Sequence, residues 1–196
     1  MNNKRFVSFV IKLILFTLVG SFFAWSFKSG YYQLIIDDSE GFIFLLKQHI
    51  NMVLLSSLLA IVISIPMGIL VTRPKFQKLQ WLFMNTANLG QTIPSLAILA
   101  LAMTWMGIGF KPAVFALFLY SLLPILRNTV AGIKSIDPDL LDAAKGIGYT
   151  PAQILLKIEL PNAAYPIMAG IRTAVVINIG TAALAYLVGG GGLGDW

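Results

Sequence analysis

The sequence contains no cysteine and only one histidine, His49. It therefore forms no disulfide, offers no thiol nucleophile and cannot assemble a Cys or multi-His metal site. Charge is scarce: 11% of residues are Asp, Glu, Lys or Arg, against about 25% in an average soluble domain. No carboxylate falls inside a long apolar stretch. All eight (Asp37, Asp38, Glu40, Asp137, Asp139, Asp142, Glu159 and Asp195) lie between such stretches or at the chain end. Intramembrane acids equip proton relays and many ion-coupled carriers, so this absence argues against a self-powered secondary transporter, although a sodium site can be built from carbonyls. It also removes the paired carboxylates that intramembrane acid–base chemistry needs. Nowhere does Gly-x-x-x-x-Gly-Lys-Ser/Thr occur, so the sequence has no P-loop, and any ATPase is expected to be a separate subunit.

What is abundant is apolar surface. Hydrophobic residues make up 58% of the chain and mean hydropathy is +0.83, too apolar to cover a water-facing surface. Five stretches reach the roughly 20 apolar residues that cross a hydrocarbon core: Phe6–Phe27, Ile50–Thr72, Leu82–Met106, Pro112–Ala131 and Ala164–Val188. The first is longer than an ordinary signal h-region and is interrupted by Lys12, which predicts an uncleaved span. The net charge of +6 forms no groove-like stripe, so it does not point to nucleic acid. Instead the basic residues alternate by side. Lys4, Arg5, Arg73, Lys75, Lys78, Lys134, Lys145 and Lys157 fall on one side, with Arg127 and Arg172 at its membrane edges; only Lys28, Lys47 and Lys111 fall on the other. The positive-inside rule then predicts a cytoplasmic N-terminus and an external Trp196. Trp25, Trp81 and Trp105 lie near span ends, as belt aromatics do. A cage for a cationic ligand is the competing reading of these indoles.

One connection is long and polar. It runs from Gly132 to Ala163, whereas most connections in compact domains are short. Asp137-Pro138 predicts a helix start, with the Asp side chain accepting from a free backbone N–H and Pro in the first turn. Gly146 and Gly148 are expected to end that helix. Thr150, Pro151 and Gln153 predict a second capped start, which Pro161 is expected to stop before the next span. Composition alone leaves two readings of this loop, an amphipathic segment on lipid or a docking knob. At the end of the chain, Gly189 to Gly194 fits G-x-G-x-x-G but comes after a span rather than a strand, so a flexible external turn is expected there. His49 reads as an interfacial polar residue.

The loop spacing is Asp142-Ala143-Ala144, then Gly148, then Ile158-x-Leu160-Pro161. It resembles the cytoplasmic signature of ABC-importer permeases, Glu-Ala-Ala-x-x-x-Gly and then Ile-x-Leu-Pro. Six of the seven fixed positions match, with Asp142 for Glu keeping the charge and shortening the reach. The resemblance implies an all-α polytopic membrane protein with a type I permease core and a coupling-helix loop. Asp142, Ala143, Ala144, Gly148, Ile158, Leu160 and Pro161 would dock on a cytoplasmic ATPase. Gln91 to Ala97, Leu119 to Thr129, Met168 to Ala182 and Gly191 to Asp195 further resemble permeases of osmoprotectant importers for glycine betaine, carnitine and choline. That likeness runs from His49 to Asp195, making residues 1–48 an added span with its external loop and 49–196 the core. Such permeases continue past Gly-Leu-Gly-Asp into another span, so the sequence is expected to be truncated.

The implied machine is a bacterial cell-membrane importer that works by alternating access. Its other parts are a second permease subunit, two ATPases holding ATP and magnesium, an extracellular solute-binding protein and the surrounding lipid. The chain itself would be no enzyme and would hold no metal or cofactor. Polar residues within spans, Asn85, Asn88, Gln91, Thr92, Asn178 and Thr181, are candidates to line the pathway; interhelical hydrogen bonding is the competing reading of each. Pro94 is expected to bend its span. Methionine or another amino acid remains the alternative cargo, and a secondary carrier or channel the alternative class.

Overall fold

The computed structural model describes residues 3–196, with the side chains at positions 3–6, 34, 77, 87 and 89–91 outside the described set; Lys4, Arg5 and Gln91 are among these. The chain divides into two compact units, Met1–Phe44 and Leu45–Trp196. The first contains α1 (Asn3–Lys28), α2 (Gln33–Asp37) and the start of α3 (Ser39–Val71). Helix α1 exposes Phe9, Leu13, Phe16, Phe22 and Trp25 around its circumference, as a lipid-surrounded helix does. After α1 the chain reverses, and Trp25 packs on Tyr31 with ring centroids 5.7 Å apart. Asp38 then accepts the Gly41 N–H at 3.0 Å and starts α3. All of the predicted second span but Thr72 lies inside α3, which begins well before the apolar run because a helix need not stop where the hydrocarbon does.

The second unit holds the rest of α3, then α4 (Gln77–Thr92), α5 (Ser95–Met106), α6 (Phe110–Lys134), α7 (Pro138–Gly146), α8 (Pro151–Ile154) and α9 (Leu160–Ala182). Among the described residues, four helical stretches are long and apolar enough to cross a membrane: Val7–Lys28, Ser39–Val71, Phe110–Lys134 and Pro151–Val188. The expected third span is different. It is two helices, α4 and α5, separated by Ile93 in an extended conformation (φ −79°, ψ 127°) and by Pro94. Pro cannot donate to the preceding turn and pushes the residue before it out of the helical region, so the expected bend is a complete break. Tyr120 of α6 donates its hydroxyl to the Ile93 carbonyl that the break exposes.

Helices α6 and α9 form the centre of this unit. Small residues let them approach: a Cβ added at Gly170 of α9 would lie 2.7 Å from Asn128 Cβ and 2.8 Å from the Pro124 carbonyl oxygen. Between membrane helices, such close van der Waals packing replaces the hydrophobic force available in water. Ala60, Ile125 and Ala174 join α3, α6 and α9 in the middle. Ile133, Ala163 and Ile167 join α6 and α9 nearer the long loop, with Ile65 and Ile69 of α3 packed on them. At the opposite end Met52, Leu99, Ala113, Leu117, Ala182 and Val188 form the largest cluster.

Candidate functional site

The long loop folds as its capping signals predict, with two corrections. Asp137 accepts the Asp139 N–H at 2.9 Å, and Pro138 occupies the first turn of α7. At the other end, Gly148 N–H donates to the Lys145 carbonyl (2.9 Å) and Tyr149 N–H to the Ala144 carbonyl (3.1 Å). This crossed pair is a Schellman cap, which needs a left-handed residue, and Gly148 supplies it at φ 91°. Gly146 does not share that work. It is the last helical residue of α7, so only one of the two glycines ends the helix.

The second start is a complete capping box. Gln153 N–H donates to Thr150 Oγ1 (3.3 Å), and Thr150 N–H to Gln153 Oε1 (2.8 Å). Pro161 does not stop the helix begun there. Helix α8 opens into a π turn over Leu155–Glu159 and passes directly into α9, where Pro161 occupies the first turn. Its missing N–H falls just past the π turn, where the i→i−4 ladder is already interrupted. The loop is therefore one short helix docked against the foot of a long one, and not two short helices forming a knob.

The residues expected to form the coupling element divide by exposure. Ala144 is buried under α7, while Asp142, Ala143 and Gly148 are exposed. Asp142 pairs with Lys145 at 2.8 Å, both side chains largely in solvent. Ile147 is 75% exposed beside them. Ile158 and Leu160 are half-buried and Pro161 is exposed. The outward side of α7 is thus a small-residue and carboxylate face with an apolar residue at its tip, a shape suited to a protein cleft.

Glu159 fills the variable place between Ile158 and Leu160. It is the one buried carboxylate of the eight, at 4% exposure. Arg73, in the turn after α3, grips it with both guanidinium nitrogens, Nη1 to Oε1 at 2.9 Å and Nη2 to Oε2. In the sequence these two residues stand out only as a topology charge and a motif spacer. The available signal was a carboxylate flanked by Ile158 and Leu160, two places before Pro161.

The far end of α3 carries a second polar contact. His49, expected as an interfacial polar residue, is buried within the protein. Its Nδ1 accepts the Leu193 N–H at 3.4 Å, so its Nε2 donates to the Ile179 carbonyl at 3.1 Å. Gln48 Oε1 accepts the Gly192 N–H at 3.3 Å. The glycine run is accordingly an ordered turn and not a flexible one: Gly190 N–H closes on the Ala185 carbonyl at 2.9 Å, and Gly109 N–H donates to the Val188 carbonyl at 2.7 Å. Its glycines allow close backbone approach, with no βαβ unit around them among the described residues. His49→Ala is expected to cost about 2 kcal/mol, from two lost hydrogen bonds and the space left by the ring. Thermal unfolding in detergent, tracked by tryptophan fluorescence, would measure it; an unchanged midpoint would contradict this packing of the ring.

The polar residues proposed for a pathway fall in two places. On α4, Asn85 is half-buried and Asn88 and Thr92 are exposed; the Gln91 side chain lies outside the described residues. On α9, Thr181 is half-buried and Asn178 fully buried. Asn178 Nδ2 donates to Ser56 Oγ (2.9 Å) and Ser57 Oγ (3.1 Å) of α3, so it braces that helix pair. Its Oδ1 has no hydrogen-bond partner among the described residues. Beside the Pro94 break, a largely apolar cavity of about 430 Å³ is lined by Ser64, Phe83, Ile93, Leu101, Tyr120 and Leu126 among others. None of the pathway candidates whose side chains are described lines it. Trp81 and Trp105 are exposed, as belt residues are.

Packed apolar helices with a broken pair, and a capped helix standing on a continuous stem outside them, define a multi-pass permease core. Residues 60–196 match the family described as the binding-protein-dependent transport system inner membrane component, and the chain belongs to that family. It is 48% identical over 149 residues to the choline transport system permease protein OpuBB of Bacillus subtilis, covering 76% of this chain and 68% of that one. With the osmoprotectant import permease protein OsmY of Salmonella typhimurium it shares 41% identity over 192 residues, 98% of this chain and 79% of the relative. Among solved structures, an inward-facing form of the MetNI methionine ABC transporter superposes with a TM-score of 0.70 at 26% identity, covering 79% of this chain and 77% of that one. The expected type I importer permease fold is therefore present.

Proposed function

We propose that this chain is the membrane subunit of an ATP-driven importer for quaternary-ammonium osmoprotectants of the choline, carnitine and glycine betaine kind. The carrying observation is the 48% identity with a choline permease over 149 residues, 76% of this chain. The likeness to the methionine transporter is of fold at much lower identity, and it supports the architecture more than the cargo.

In this reading α7 seats in a cleft of a cytoplasmic ATPase. Asp142 and Ala143 lie in the contact, Ala144 packs beneath it, and Gly148 sets the angle at which α7 meets its stem. Ile158, Leu160 and Pro161 anchor that stem. The N-terminus and the 132–163 loop lie in the cytoplasm of a bacterial cell. A second permease subunit completes the pathway, and an external binding protein delivers the solute. ATP and magnesium belong to the ATPase, and this chain performs no chemistry and holds no cofactor. Asn85, Asn88, Gln91, Thr92, Asn178 and Thr181 offer polar contacts along the route. A quaternary ammonium has no hydrogen to donate, so aromatic faces select it best, and the binding protein is the place for them.

The test is uptake into vesicles containing the chain with its permease partner, ATPase and binding protein. Labelled choline or betaine should accumulate only with ATP inside and binding protein outside. Movement through this chain alone, without ATP, would make it a carrier or channel.

A further inference from the structure

The residues buried along the last long helix are Ile154, Glu159, Ala163, Ile167, Gly170, Ala174, Asn178 and Ala182. Every step is three or four residues, as one face of a regular helix requires, except the first, which is five. That step spans the π turn Leu155–Glu159, closed by Leu160 N–H on the Leu155 carbonyl. One added residue shifts the register by about 100°. In an uninterrupted α-helix the inward position after Ile154 would be 158, an isoleucine. The wide turn puts Glu159 there instead. A carboxylate is costly to bury unless paired and hydrogen-bonded, and Arg73 meets both needs with a two-pronged contact. Leu160, Ala163 and Ile167 pack with Ile69 just beyond, giving the pair an apolar roof.

Arg73 stands in the turn that joins α3 to α4. Its own N–H bonds the Leu70 carbonyl at the end of α3, and its carbonyl accepts from Phe76 N–H at the start of the segment leading into α4. Glu159 stands on the stem that carries the coupling helix. We infer that the Arg73–Glu159 pair is a positioning link that carries displacement of the coupling loop to the α3–α4 turn, and so to α4 and its polar face. The inference rests on the reading of this chain as the permease of an ATP-driven importer. It adds a second transmission route, through side chains, to the continuous backbone of α9.

The test exploits the absence of cysteine. Lys78→Cys and Lys157→Cys, both exposed, place spin labels on either side of the pair in the assembled importer. Their separation is measured without nucleotide and with trapped ATP, beside uptake per ATP hydrolysed. With the pair intact, the separation should hold constant between the two states. The double variant Arg73→Met, Glu159→Met removes both charges and leaves no uncompensated one buried. In it the separation should change with nucleotide, and uptake per ATP should fall about tenfold, an ordinary size for coupling between sites. If that variant does not assemble, Glu159→Gln alone keeps the side-chain shape, and the one-third exposed Arg73 can reach water. An unchanging separation in the variant, or undiminished uptake per ATP, overturns the inference. If the unaltered importer shows no ATP-dependent uptake, the functional reading has failed instead.

Discussion

Replacing Gly148 with valine is expected to separate ATP hydrolysis from transport. At φ 91° a β-branched side chain is strained by about 1–3 kcal/mol whatever space surrounds it. The chain would relieve that strain by leaving the left-handed region. The Gly148 and Tyr149 N–H groups would then release the Lys145 and Ala144 carbonyls, and α7 would lose its fixed angle to the stem. Uptake should drop at least about tenfold, on the scale of a coupling energy of about 1–3 kcal/mol, while the ATPases still turn over. Gly146→Ala is the matched control. Gly146 is helical with open space where a Cβ would go, so alanine there should leave uptake unchanged and stabilise α7 slightly. Coupled uptake at the normal rate in Gly148→Val would remove the loop from the transmission path.

The second large effect concerns the helix crossing at the centre. Gly170→Leu would drive a side chain into Asn128 and the Pro124 backbone, neither of which can swing away. Helices α6 and α9 must then part, and the Ala60, Ile125 and Ala174 cluster opens with them. Overpacking of this kind typically costs about 1–3 kcal/mol. Here the loss should sit at the top of that range, because the obstacle is backbone. The expected readout is failure of the purified chain to stay monodisperse in detergent at a temperature where the parent does. Gly170→Ala should show a smaller shift in the same direction. A leucine variant as stable as the parent would mean that the two helices have slack at this crossing.

Much of the fold was legible in the residues. Apolar length located the helices at α1, α3, α6 and α9, and Asp137, Pro138, Thr150 and Gln153 announced the starts of α7 and α8 through local bonds that need no tertiary partner. Pro94 announced a bend for the same reason, and the structure makes it a full break. What could not be read were features set by contacts far along the chain. His49 looks interfacial until the Leu193 and Ile179 backbones close on it. Glu159 reads as a spacer because its register depends on a π turn, which has no simple sequence code. The glycine run suggested flexibility because glycine's freedom is visible in sequence and its packing is not. Pro161 looked like a stop because the wide turn that lets the helix pass through it lies just upstream.

The α3–α9 pair is pinned near both ends: at one by His49 on the Ile179 carbonyl and by the adjacent Asn178 on Ser56 and Ser57, and at the other by Arg73, just after α3, with Glu159, just before α9. A bar fastened at both ends resists shear between them. Helices α4 and α5 meet instead at Ile93–Pro94, where the helical ladder is interrupted and the Tyr120 hydroxyl holds the exposed carbonyl. Stiffness in this subunit is therefore unevenly distributed. Bending is cheapest at that proline elbow, next to the one face of α4 that carries asparagines.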